Sequence, residues 1–283
     1  MASQVLVPAL FCTLLILNSC EGNRNPVAHL PEKDSLNIHS ASSTDSTHQK
    51  YSHLISNVPI PFDILNKLNT TGVPFRAALL NSLSNASSYN VNDSKSLNLG
   101  VYGADAAYLI SMNECTGLAG HVKILKKLAD ELGITKAFNE DMMGRYNQGN
   151  SNKDTLQNVI WSSYTEIDQS LKSNDRLGLA SLVVCGGWVE SLYLTIQSIS
   201  SHENEGTYSP LYSLLFAQKE HLTKLIRLMR DFKGDPFQAI VLELKTIESD
   251  FGSVTEASKL TWGQASKIAQ DITHLRSVIV KGS

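Results

Sequence analysis

Leu118-Ala119-Gly120-His121-Val122-Lys123-Ile124-Leu125-Lys126-Lys127-Leu128-Ala129-Asp130-Glu131-Leu132-Gly133-Ile134 gives the first secure reading of this chain. Leu118, Val122, Leu125, Ala129 and Leu132 recur at alternating four- and three-residue spacing and so line one face of a helix. Lys123, Lys126, Lys127 and Glu131 fall mostly on the other side, as an amphipathic surface helix requires. Gly133 supplies the left-handed stop, and Ile134 is the apolar residue that folds back over it.

The same period extends in both directions. Upstream, Asp63 to Leu68 forms a short helix closed by Gly72, and Pro74 starts a second carrying Leu79, Leu80 and Leu83. A polar break from Asn81 to Ser94 precedes a long helix from about Lys95 to Glu114. Downstream, Asn139 caps a short helix with Glu140 and Asp141 in its first turn. Leu156, Val159, Ile160, Tyr164, Ile167 and Leu171 mark a helix from Asp154, and residues 176–200 an apolar one interrupted at Gly186-Gly187. Ser209-Pro210 and Asp235-Pro236 each place proline at a helix start. Ser253-Val254-Thr255-Glu256 has the pattern of a capping box and opens a last helix through Leu260, Ile268, Ile272, Leu275 and Ile279. No stretch alternates as a strand does. About nine helices over residues 58–283 predict one all-α domain, a multi-helix bundle or array, of a size that a single core can serve.

The first 57 residues have a different character. Val5 to Leu17 is an apolar run of about 13 residues, too short for a membrane-spanning helix, which needs roughly 20. It leads into Leu17-Asn18-Ser19-Cys20, the layout of a bacterial lipoprotein signal, so residues 1–19 are expected to be removed and Cys20 to be lipidated. The start, Met1-Ala2-Ser3-Gln4, lacks the usual basic residue. Glu21 to Asn57 is rich in Asn, Ser, Thr and His without apolar period, so residues 20–57 read as a flexible tether. No comparably long apolar run is expected downstream. The net charge of -3 shows no basic excess of the kind nucleic-acid binding demands. With Cys12 lost and Cys20 acylated, Cys115 and Cys185 remain; a disulfide between them would close a loop worth about 4 kcal/mol. Their sequence positions do not decide between that bond and two free thiols.

Two helices echo each other. Gly103-Ala104-Asp105-Ala106-Ala107-Tyr108-Leu109 and Trp188-Val189-Glu190-Ser191-Leu192-Tyr193-Leu194 both set an acid one turn before Tyr-Leu, near glycines. A helical glycine costs about 1 kcal/mol against alanine, so something must offset it. Gly100, Gly103, Gly186 and Gly187 fit a close crossing of two helices. On a functional reading, Tyr102, Asp105, Tyr108, Trp188, Glu190 and Tyr193 wall a ligand cleft.

The tether, Val58-Pro59-Ile60-Pro61-Phe62-Asp63-Ile64-Leu65, Leu97-Asn98-Leu99-Gly100-Val101-Tyr102-Gly103-Ala104-Asp105 and Gly186-Gly187-Trp188-Val189-Glu190 together resemble a set of uncharacterised all-helical lipoproteins of Bacteroidota, over most of residues 58–283. The resemblance implies a lipid-anchored place in the cell envelope and a helical fold, with no activity to carry over to any residue. Asp34-Ser35-Leu36 and Asp45-Ser46-Thr47 look like the triplets at which such bacteria O-glycosylate exported proteins, at Ser35 and Ser46.

Familiar chemistry is not written here. The chain has no His-Glu-x-x-His, Cys-x-x-Cys or Gly-x-Ser-x-Gly, and its glycine pair lacks the Lys-Ser/Thr of a phosphate loop, so no metal, cofactor or catalytic residue is expected. Two function classes stay open. A non-catalytic binding or accessory module, its protein or small-molecule partner unknown, predicts exposed aromatics and no strongly perturbed titratable group. An envelope enzyme using acids on the glycine-bearing helices predicts that Asp105 and Glu190 converge.

Overall fold

A computed structural model describes residues 61–114, 116–148, 152–174, 176–200, 209–252 and 254–282. The signal, Cys20, the tether with Ser35 and Ser46, and Cys115 lie outside the described residues. Cys185 is a buried free thiol, pushed up to about 12 by the loss of water around it.

The described residues are all-α, with nine α-helices: α1 (Pro61–Thr70), α2 (Asn92–Ser111), α3 (Leu118–Glu131), α4 (Glu140–Gln148), α5 (Lys153–Ser173), α6 (Leu177–Ser200), α7 (Ser209–Arg230), α8 (Asp235–Phe251) and α9 (Trp262–Lys281). Between α1 and α2 the chain makes two 3-10 turns, Ala77–Leu79 and Leu83–Ser87. α2 and α6 form the central pair. α1, α3, α5 and α9 pack against α2; α1, α5, α7 and α9 against α6; and α8 bridges α7 and α9.

Local chemistry sets the element ends. Gly133 at φ 72° ends α3, and the Ile134 N–H reaches back to the Ala129 carbonyl at 2.8 Å while Gly133 N–H reaches Asp130 at 2.9 Å. That is a Schellman stop with Ile134 buried over it. Three expectations need correction. α6 is continuous through Gly186 and Gly187, because intrahelical bonding tolerates glycine wherever neighbours hold the helix straight. No helix starts at Pro74; the chain makes 3-10 turns there because buried side chains from α2 and α9 take its backbone groups. The last helix begins at Trp262, where Thr261 and Gln264 form the capping box, whereas Ala257–Lys259 is only a 3-10 turn.

Leu177–Ser198 is also long and apolar enough to cross a membrane, with a mean hydropathy of 1.5, contrary to the expectation that no such run follows the signal. In this fold 83% of that stretch is buried against neighbouring helices, so its apolar surface builds the core. α2 is buried almost all round in the same way.

The glycines bring the central pair together. A Cβ on Gly100 would land on the Val183 carbonyl, and one on Gly186 on the Leu97 carbonyl, while Gly187 N lies 2.6 Å from that imagined Gly100 Cβ. Leu97 thus meets Gly186, and Gly100 meets both Val183 and Gly187, at one close crossing; farther along both helices Asp105 comes beside Glu190, so α2 and α6 run in the same direction. Gly103 departs from the expected crossing. Its missing side chain leaves room for Tyr164 of α5, whose hydroxyl donates to the Gly100 carbonyl at 2.9 Å.

Candidate functional site

The parallel run of α2 and α6 sets Asp105 beside Glu190, the two acids of the sequence echo. Both side chains are wholly buried. Arg276 of α9 grips Glu190 with two hydrogen bonds, Nε to Oε2 at 2.7 Å and Nη2 to Oε1 at 2.8 Å. Its Nη2 also donates to the Leu79 carbonyl at 2.9 Å, and its guanidinium lies 4.2 Å from the Tyr193 ring centroid. Asp105 Oδ2 accepts the Asn81 backbone N–H at 3.0 Å. Asp105 Oδ1 has no donor.

These contacts decide the protonation. Burial raises the pKa of both carboxyls, and the nearby Glu190 charge raises Asp105 further. Arg276 pulls Glu190 back toward the ionised form. Two adjacent buried carboxyls beside one cation therefore hold one proton, which sits on Asp105 and bridges to Glu190. The donorless Oδ1 is the oxygen free to carry it.

His121 completes the surroundings. Its Nδ1 sits 2.9 Å from the Gly117 carbonyl, which can only accept, so Nδ1 bears the hydrogen. Burial lowers the imidazole's pKa, leaving it neutral, and Nε2 stands 3.8 Å from Asp105 Oδ2, beyond hydrogen-bond reach.

Five of the six residues expected to wall a cleft are core residues: Tyr102, Asp105, Tyr108, Trp188 and Glu190 are at most 1% exposed. Tyr193 is half-buried beneath Arg276. Tyr102, Asp105 and Tyr108 hold the irregular segment between α1 and α2. Tyr108 Oη accepts the Arg76 N–H at 3.2 Å, and Tyr102 Oη donates to the Ser82 carbonyl at 2.7 Å. Asn81 Nδ2 donates to Tyr89 Oη at 3.1 Å, and that hydroxyl donates to the Val280 carbonyl at 3.0 Å. Residues 76–89 thus form a strap whose backbone groups, lacking helical partners, are satisfied by buried side chains. The correction follows from that requirement: polar groups drawn in to serve the strap are sealed beneath it.

Sequence reasoning missed Arg276, Asn81 and Tyr164. Arg276 borders the Ile268, Ile272, Leu275 and Ile279 face, and an arginine beside a core stripe is a faint signal. Among the described residues no three His, Cys, Asp or Glu side chains gather as a metal site. Comparison with protein-family models, curated proteins and solved structures returns no match, so the chemistry of the site rests on its own geometry.

Proposed function

We propose that the chain is a bacterial envelope lipoprotein, anchored through lipid on Cys20 and acting as a non-catalytic binding or accessory module. One observation carries the non-catalytic part: the carboxyl oxygens of Asp105 and Glu190 are engaged by Arg276, by the Asn81 N–H and by the shared proton, leaving none for a substrate. The Leu17-Asn18-Ser19-Cys20 stretch and the polar tether after it support the anchor, on the periplasmic or surface face of an outer membrane. Cys20→Ala is expected to abolish fatty-acid labelling and move the protein from the membrane to the soluble fraction. A variant that stays membrane-bound would refute the anchor.

The enzymatic reading retains two favourable observations: Asp105 and Glu190 converge around a proton, and burial raises the pKa of both, contrary to the expectation that a non-catalytic module holds no strongly perturbed titratable group. Carbodiimide coupling in the native protein separates the readings. Sealed carboxyls stay unmodified until the chain unfolds, whereas labelling under native conditions within minutes indicates a route for substrate and favours the enzyme.

A further inference from the structure

α8 turns Phe237, Ile240, Leu244 and Ile247 inward and holds Leu242 out into solvent at 67% exposure. A groove lies on each side of that ridge. The first, 510 Å³ in volume, has Leu97, Ile240, Leu275 and Val278 among its lining and the carboxylates of Asp93, Asp235 and Glu243. The second, 230 Å³, has Phe232, Phe237 and Val241 with the cations Arg230 and Lys245. Val91 (51% exposed) and Val278 (57%) line the first and Leu242 the second. These are the three most exposed large apolar side chains among the described residues, and each lines one of the two grooves that border α8. None of the five charged groups is ion-paired among the described residues. An apolar surface of this kind, edged by opposite charges in two separate rows, is shaped for a complement.

Helix geometry specifies that complement. At about 100° per residue, Glu243 sits about 100° to one side of Leu242 and Lys245 about 60° to the other. Two copies stacked through Leu242 can be related by a twofold axis running across α8 or along it. An axis across α8 lays acid on acid and base on base. An axis along α8 makes the two helices parallel, stacks Leu242 on its counterpart, and lays each acidic flank on the other copy's basic flank. Such an interface uses the same patch twice and closes at two. We propose that the chain forms this parallel, α8-centred homodimer.

Sedimentation velocity of the full chain in density-matched detergent tests it, with far-UV circular dichroism confirming that each variant is folded. The wild type is expected to sediment as a dimer, and Leu242→Asp as a monomer. Glu243→Lys or Lys245→Glu alone is expected to weaken association about tenfold, since each acts twice across the axis. Glu243→Lys with Lys245→Glu exchanges one member of each row, re-forming that pair across the axis with its signs reversed, and is expected to bind more tightly than either single variant, which a misfolded variant would not do. A wild type that stays monomeric, a double variant no tighter than the singles, or a dimer that survives Leu242→Asp would each overturn the proposal.

Discussion

Asp105 keeps its proton in the folded protein, while the same carboxyl exposed in an unfolded chain, with an ordinary value of 3.8, has lost it at neutral pH. Folding therefore takes up a proton above about pH 4, so this contribution to stability is fully present below that pH. It falls by about 1.4 kcal/mol per pH unit as pH rises, until Asp105 itself ionises. Asp105→Asn keeps a donor for Glu190 and an acceptor for the Asn81 N–H without the proton uptake. Urea unfolding of both proteins from pH 4 to 7 should show the asparagine variant gaining on the wild type as pH rises; parallel curves would mean that Asp105 is ionised in the fold. Arg276→Met leaves Glu190 buried without its cation, and such a loss costs about 3–5 kcal/mol. The cost should shrink in acid, where Glu190 takes up a proton of its own.

At the scale of elements, glycine at the α2–α6 crossing and glycine on a helix surface should respond oppositely to the same substitution. Gly186→Ala drives a methyl group into the Leu97 carbonyl, which cannot move without separating the central helices, and overpacking of this kind costs about 1–3 kcal/mol or more. Gly144, inside α4 with open space around its Cα, should gain about 0.5–1 kcal/mol as alanine. Thermal melts of the two variants check the pair of signs. The contrast also explains what could be read from the chain itself. α3 and its Gly133-Ile134 stop were legible because period and cap lie within seventeen consecutive residues. Ser253 to Glu256 had the letters of a capping box, but a helix also needs an apolar face to bury, and Thr261 to Gln264 has the pattern where that face begins. Asp105 and Glu190 could be paired by their echo. Their burial could not, because it depends on Arg276 and Asn81, which only the packing of α9 and the strap brings near.

Among the described residues the domain is closed by the last turn of α9. The carbonyls at the end of α9 have no helical partners, and residues from the start of the domain supply them. Asn98 Nδ2 donates to Ile279 at 2.9 Å, Tyr89 Oη to Val280 at 3.0 Å, and Ser88 Oγ to Lys281 at 3.4 Å. Ile279 and Val280 are themselves buried. Ending the chain after Ser277 removes two buried aliphatic side chains, worth about 1.5–3 kcal/mol each. It also leaves one Asn98 amide hydrogen and the Tyr89 hydroxyl hydrogen without their acceptors, at about 1–3 kcal/mol each, although Asn98 keeps its bond to Ser94 and Tyr89 the one from Asn81. The loss rivals the whole stability of a typical domain, about 5–15 kcal/mol. Because Tyr89 and Arg276 tie α9 to the same strap, the damage should spread through the domain instead of fraying one helix. Far-UV circular dichroism and the near-UV signal of the three tryptophans, Trp188 buried in the core among them, are expected to fall together in the truncated chain. Ending at Lys281 keeps all three acceptor carbonyls and should leave both signals near those of the intact protein. If the shorter chain melts within a few degrees of the longer one, the α9 terminus is an appendage and the closure is not structural.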